Sequence, residues 1–139
     1  MKRRCSPARR TFSVNSGSSD PKKKGIGFAY AWRGIKLVWT SERNFRIHAA
    51  AAILALTAGG ILRLSLVEWA VLTVTIALVL TLEMVNSAIE KLLDHLHPDR
   101  HPAVGAVKDV AAGAVLTAAG GSVVVGVFLF GPKLLALLM

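Results

Sequence analysis

The chain has 139 residues, 53% of them hydrophobic, with a formal net charge of +9 and a mean hydropathy of +0.53. That length suits one domain, and the long apolar runs exclude an ordinary soluble globular protein in favour of an integral membrane protein. The charge is lopsided: residues 1–46 carry twelve Lys/Arg against Asp20 and Glu42, and the remainder carries five Lys/Arg against six acids. A pI near 10.5 would suit nucleic acid, but no nucleic-acid motif accompanies it. Basic residues beside a first apolar run are what the positive-inside rule expects, and each attracts anionic lipid headgroups by ~1 kcal/mol near the surface. The expected partners therefore include anionic membrane lipids and exclude nucleic acid.

Residues 1–25 are rich in Arg, Lys, Ser, Pro and Gly and are expected to form a disordered, cytoplasmic basic tail. They lack the apolar core of a secretory signal, and neither end carries a lipidation motif. Cys5 is the single cysteine, so no intrachain disulfide can form. The tail is assigned no chemistry.

Residues 26–41 read as an amphipathic helix lying along the inner membrane surface. Phe28, Trp32, Ile35 and Trp39 fall on one stripe, with Arg33 and Lys36 off it. Three spans follow, at about 45–62, 69–91 and 110–130. Ala51, Ala55 and Gly59 in the first span, and Gly113, Thr117 and Gly121 in the third, make small-residue stripes suited to close helix packing. The turn from Arg63 to Glu68 is expected outside, the longer loop from Leu92 to Asp109 inside, and Lys133 outside. Three helices shelter little, so the polar groups of the second span predict a homo-oligomer. The fold expected is an all-α membrane bundle over residues 26–135.

Chemistry concentrates in the second span. Glu83, Asn86 and Glu90 share one helix face by their i, i+3, i+7 spacing. Each ionisable group at membrane depth costs ~2.5–3.5 kcal/mol on insertion scales, so such residues usually face a protein interior, a metal or a substrate path. Glu42 precedes the first span, and Lys108 and Asp109 open the third, on the same side. Glu42 and Glu90 are hard oxygen ligands suited to Mg²⁺, which takes one or two carboxylates plus substrate phosphates. Lys108 suits a polyphosphate. Glu83, ~10 Å deeper at 1.5 Å per residue, is placed as a base for a hydroxyl at the lipid boundary, and Asn86 as its orienting neighbour. Together these parts fit phosphoryl transfer from a nucleotide to a lipid alcohol.

Other readings exist for each group. Glu42 at a helix start also favours the helix dipole, and Lys108–Asp109 also suits an interfacial ion pair. His95, His97 and His101 are read as solvated residues of a polar loop, with His48 apart from them. Intramembrane carboxylates in a small oligomer also suit a transporter or proton-coupled channel, and the basic tail suits a membrane scaffold. Lys108–Asp109 has no role in the transporter reading.

Glu83-Met-Val-Asn86-Ser-Ala-Ile-Glu90 resembles the signature of the prokaryotic diacylglycerol kinase and undecaprenol kinase family. Ala31-Trp32-Arg33-Gly34, the block from Glu42 to His48, and Ala106-Val-Lys108-Asp109 with the following Ala111-Ala-Gly-Ala stand in the same order. The resemblance covers about residues 25 to 135. It implies a homotrimer in the plasma membrane with composite active sites on the cytoplasmic side, and the use of ATP and Mg²⁺. By the resemblance, Glu83 is the general base, and Glu42 and Glu90 hold magnesium. Lys23, Tyr30, Asn86, Asp99, Arg100, His101, Lys108 and Asp109 are nucleotide-side contacts beside those two carboxylates. Trp32, Glu83 and Ala112 would meet the lipid. Ser87 stands where many members have Thr, Ala31 and Ala112 where the proteobacterial diacylglycerol kinases carry Ser, and His48 where that branch has Glu. These departures are more similar to the Gram-positive undecaprenol kinases, and make undecaprenol the expected acceptor, with diacylglycerol as the alternative.

Overall fold

The computed structural model describes residues 27–97 and 101–139. Over those residues the chain forms four helices: α1 (Phe28–Ser41), α2 (Arg43–Ile61), α3 (Leu66–Leu96) and α4 (Pro102–Leu138). The last three are each long and apolar enough to cross a membrane. At 1.5 Å per residue, the 31 residues of α3 extend ~46 Å and the 37 of α4 ~55 Å, well beyond a ~30 Å hydrocarbon layer. The chain is therefore an all-α membrane protein.

α1 stops because one residue leaves the helical region. Glu42 is extended (φ −105°, ψ 119°), its N–H still bonding the Val38 carbonyl, and α2 begins at the next residue. Trp39 and Phe45 meet edge to face across this corner, ring centroids 6.3 Å apart. Val38 and Phe45 are the buried side chains there. Phe28, Trp32, Ile35 and Trp39, the apolar stripe expected of a surface helix, remain exposed on the single chain.

The far end of the hairpin between α2 and α3 is tight. Arg63 is left-handed (φ 51°), a conformation that costs a non-glycine residue ~1–2 kcal/mol. The loop folds back onto α2: Leu64 N–H bonds the Gly59 carbonyl at 3.1 Å. A Cβ on Gly59 would stand 2.9 Å from Leu64 Cδ1 and 3.2 Å from Trp69 Cη2, so glycine is what permits the close approach. α3 then starts with a capping box. Ser65 Oγ accepts from Glu68 N–H, and Glu68 Oε2 accepts from Ser65 N–H at 2.6 Å.

α3 and α4 pack along each other more extensively than any other pair, and α2 lies against α3. The apolar core near the far end is Leu64, Leu72 and Leu129, with Ala55, Trp69, Ile76 and Phe130 against it. Ion pairs tie the helices at both ends. Glu42 pairs with Lys91 and Asp94 with Lys108 at the end where α1 meets α2; Glu68 pairs with Lys133 at the other, at 3.1 Å. Exposed pairs contribute only ~0–1 kcal/mol each, so they register the helices more than they stabilise them.

Two sequence expectations change. The long loop expected over Leu92–Asp109 is mostly helix: α3 continues to Leu96 and α4 begins at Pro102. Proline at the first helical position starts α4 early, and His101 caps it, Nδ1 accepting from Ala103 N–H at 3.2 Å. The small-residue stripes also differ. Gly59 is packed within the chain, whereas a Cβ on Gly113 or Gly121 would meet nothing within 4 Å. Among the described residues, nothing packs closely on the glycines of the α4 stripe.

Candidate active site

The apolar sequence of α3 is interrupted by a buried polar cluster. Glu83 is 3% exposed, Asn86 9% and Ser87 1%. Their spacing, with Glu90, follows one helix face. Asn86 Nδ2 donates to Glu90 Oε1 at 3.1 Å, an i, i+4 contact that fixes both side chains. Asn86 Oδ1 and Ser87 Oγ are buried with no hydrogen-bond partner among the described residues. Buried polar atoms left unpaired cost ~1–3 kcal/mol each, and they cluster where a ligand or another chain completes the bonding.

The single chain thus buries Glu83, Asn86 and Ser87 by itself, which corrects the premise that these groups need an oligomer for shelter. Glu42, Glu90 and His48 all lie within electrostatic reach of Glu83. The acidic groups of the first corner and of α3 therefore converge at one end of the bundle. His48, set apart from the other histidines by sequence, belongs to this convergence.

Glu42 sits at the α1–α2 corner, partly exposed, and is not free of partners. Its Oε1 accepts from Lys91 Nζ and from Ser41 Oγ, the latter at 2.9 Å. The Lys91 hydrogen bond holds the Glu42 carboxyl below its ordinary range, against a smaller upward push from burial. Lys108 does not pair with Asp109; its Nζ donates to Asp94 Oδ1 on α3. Asp109 and Ala112 are exposed, as are Trp32 and Tyr30. The Arg33 guanidinium lies 5.6 Å from the centre of the Tyr30 ring, a cation–π distance. His95 lies in the last turn of α3, so its reading as a loop residue is corrected; His101, extended and exposed, lies just before α4 and caps it. Lys23, Asp99 and Arg100 lie outside the described residues.

Three residues of this region escaped the sequence reading. Lys91 adjoins Glu90 and reaches across to α2, a contact that one-helix spacing does not reveal. Asp94 was legible: it stands four residues after Glu90 and seven after Ser87, continuing the same face. Ser87 stood only as a substitution for Thr, and its near-complete burial becomes visible only with the helices packed.

Among the described residues no group of three or more His, Cys, Asp or Glu side chains gathers as a closed metal cage. The donor set does fit Mg²⁺, which needs only one or two carboxylates when phosphates supply the other oxygens. Glu42 and Glu90 are of that type, and the unpaired Asn86 Oδ1 adds a neutral oxygen nearby.

The family model for prokaryotic diacylglycerol kinase matches residues 29–130. The undecaprenol kinase of Bacillus subtilis is 42% identical over 107 residues, 77% of this chain and 87% of the relative. The diacylglycerol kinase of Synechocystis sp. is 40% identical over 115 residues, 82% of this chain and 66% of the relative. The diacylglycerol kinase of Escherichia coli K12 is 33% identical over 89 residues, 64% of this chain and 73% of the relative. The match runs from α1 to near the end of α4 and takes in the whole polar cluster, so this chain belongs to the prokaryotic diacylglycerol kinase family and is a membrane lipid kinase with ATP as phosphoryl donor.

Proposed function

We propose that the chain phosphorylates undecaprenol at the cytoplasmic face of the plasma membrane, as a homotrimer that requires Mg²⁺. The observation that carries the chemistry is the buried Glu83 with Asn86, Glu90 and Glu42 gathered at one end of the bundle. Undecaprenol is favoured by the similarity to the Bacillus subtilis undecaprenol kinase and by Ala31, His48 and Ala112. Diacylglycerol is the second reading, favoured by the comparable similarity to the Synechocystis diacylglycerol kinase. The twelve basic residues before residue 47 support the cytoplasmic assignment of this end. The unpaired Asn86 Oδ1 and Ser87 Oγ, and the uncovered Gly113–Gly121 face of α4, support assembly with further copies.

In this reading Glu83 accepts the proton of the lipid hydroxyl as its oxygen attacks the γ-phosphorus of ATP. The bond from that phosphorus to the bridging oxygen breaks and ADP leaves. Burial among apolar side chains keeps water from competing for the base. Asn86 holds Glu90 in place through its amide, and Asp94 presents Lys108 toward the nucleotide phosphates. Glu42 and Glu90 would hold Mg²⁺, which when bound neutralises charge on the transferring phosphates. Tyr30, Lys23, Asp99, Arg100, His101 and Asp109 are proposed nucleotide-side contacts, and Trp32 and Ala112 contacts for the lipid.

The test is direct. Purified protein in lipid vesicles is given γ-labelled ATP with undecaprenol or with diacylglycerol. Preferential labelling of undecaprenol is expected; preferential labelling of diacylglycerol selects the second reading, and labelling of neither refutes both.

A further inference from the structure

Lys91 stands at the proposed cation site without an assigned role. Its ammonium donates to the same Glu42 oxygen that accepts from Ser41. One oxygen of a proposed cation ligand is thus filled by a resident positive charge. A divalent cation arriving there alone would meet that ammonium as well as the carboxylate. Arriving with a polyphosphate, it brings acceptors to which the ammonium can move. Lys91 is built for such an exchange: its side chain is 41% exposed, and a lysine head swings on a flexible four-carbon stem with three rotatable donors. Lys108, another cation at this end, is already held by Asp94.

We propose that Lys91 is an exchangeable counter-ion, seated on Glu42 in the resting chain and transferred to a nucleotide phosphate when the divalent cation takes its place. The chain then takes up cation and nucleotide together and resists the cation alone. No covalent bond changes; one ammonium–carboxylate contact is replaced by a cation–carboxylate and an ammonium–phosphate contact. In the resting state Lys91 also offsets the negative charge of Glu42, a carboxylate within electrostatic reach of Glu83. The inference rests on the reading of Glu42 as a cation ligand.

The experiment uses the full chain in lipid vesicles, with Mn²⁺ as paramagnetic probe, with and without a non-hydrolysable ATP analogue. Free Mn²⁺ is read by its electron paramagnetic resonance signal, so no turnover is needed. Wild type should bind Mn²⁺ weakly alone and about tenfold more tightly with the analogue, within the usual range of coupling between two ligands. Lys91→Gln should bind Mn²⁺ alone about tenfold more tightly than wild type and lose most of that coupling. Because coupling is reciprocal, its analogue affinity should respond less to Mn²⁺ by the same factor. Lys91→Arg, which keeps the charge, should behave as wild type, and Lys91→Met substitutes if the Gln variant does not fold. Unchanged Mn²⁺ affinity and coupling in the neutral variant overturn the proposal. Glu42→Gln separates the two layers: if it weakens Mn²⁺ binding in the nucleotide-loaded protein, the cation-ligand reading stands whatever Lys91 does. If it has no effect there, that reading fails and this proposal fails with it.

Discussion

Replacing Glu83 separates a chemical role from a structural one. Gln is nearly isosteric, so Glu83→Gln leaves the packing around this 3% exposed side chain unchanged. The Asn86–Glu90 hydrogen bond one turn away does not involve Glu83 and persists. What the variant lacks is a proton acceptor. Loss of a positioned general base costs ~10²–10⁴-fold in rate, or ~2.7–5.5 kcal/mol in barrier at 1.36 kcal/mol per decade. Glu83→Asp keeps the acceptor but draws it back by one methylene, ~1.5 Å along the side chain. A misplacement of ~1 Å can cost ~10²-fold, so Asp should fall between Glu and Gln. Turnover is measured in vesicles with γ-labelled ATP, and nucleotide binding by fluorescence of a labelled analogue. Binding should stay within about twofold of wild type while turnover collapses, as expected when an interaction made in the transition state is lost. Turnover of Glu83→Gln within fivefold of wild type would refute the base assignment. Loss of oligomer or of nucleotide binding together with activity would mark Glu83 as structural.

Glu42→Gln and Glu90→Gln should each raise the Mg²⁺ concentration needed for half-maximal rate while leaving the chain folded; a Mg²⁺ titration of activity that superimposes on wild type for both would move the cation elsewhere. Asp94→Asn should weaken the hold on Lys108 by about 1 kcal/mol, raising KM for ATP ~5-fold with little change in kcat. Equal loss in both constants would show that Asp94 does more than position Lys108. Gly59→Leu should destabilise the fold by ~1–3 kcal/mol through overpacking against Leu64 and Trp69, read as a lower thermal midpoint in detergent. Gly113→Leu, at a position that this chain leaves uncovered, should leave the midpoint of the single chain unchanged and weaken oligomerisation, read by light scattering.

The parts of this protein legible in sequence were those governed by one helix at a time. Apolar run length located three membrane helices, and the face shared by Glu83, Asn86 and Glu90 followed from their spacing. Helix ends were harder. Ser65 and Glu68 form a Ser-x-x-Glu capping box that was open to inspection, yet the apolar run alone set the expected start of α3 at Trp69. Pro102 likewise marks the start of α4, which the charged Lys108–Asp109 pair in its second turn concealed. Pairings between helices were not legible. Lys108 pairs with Asp94 rather than with its neighbour Asp109, and Lys91 reaches Glu42, because side chains 14 and 49 residues apart meet only after the antiparallel packing fixes their height. The identity of the acceptor lipid is written in neither pattern, since both candidate lipids present a hydroxyl at the membrane boundary.

The uninterrupted helix of α3 gives the polar cluster a fixed calibration. Glu83 and Glu90 are mounted on one rigid rod, so their vertical offset cannot drift independently of their angular alignment. One residue inserted between them would rotate the lower part of the cluster by ~100° and raise it only ~1.5 Å, aiming the two carboxylates at different neighbours. Inserting seven residues would nearly restore the aim yet double the offset. Depth and direction are therefore locked to a single sequence interval, and length variation in this enzyme has to be accommodated at the helix ends or in the connecting turns.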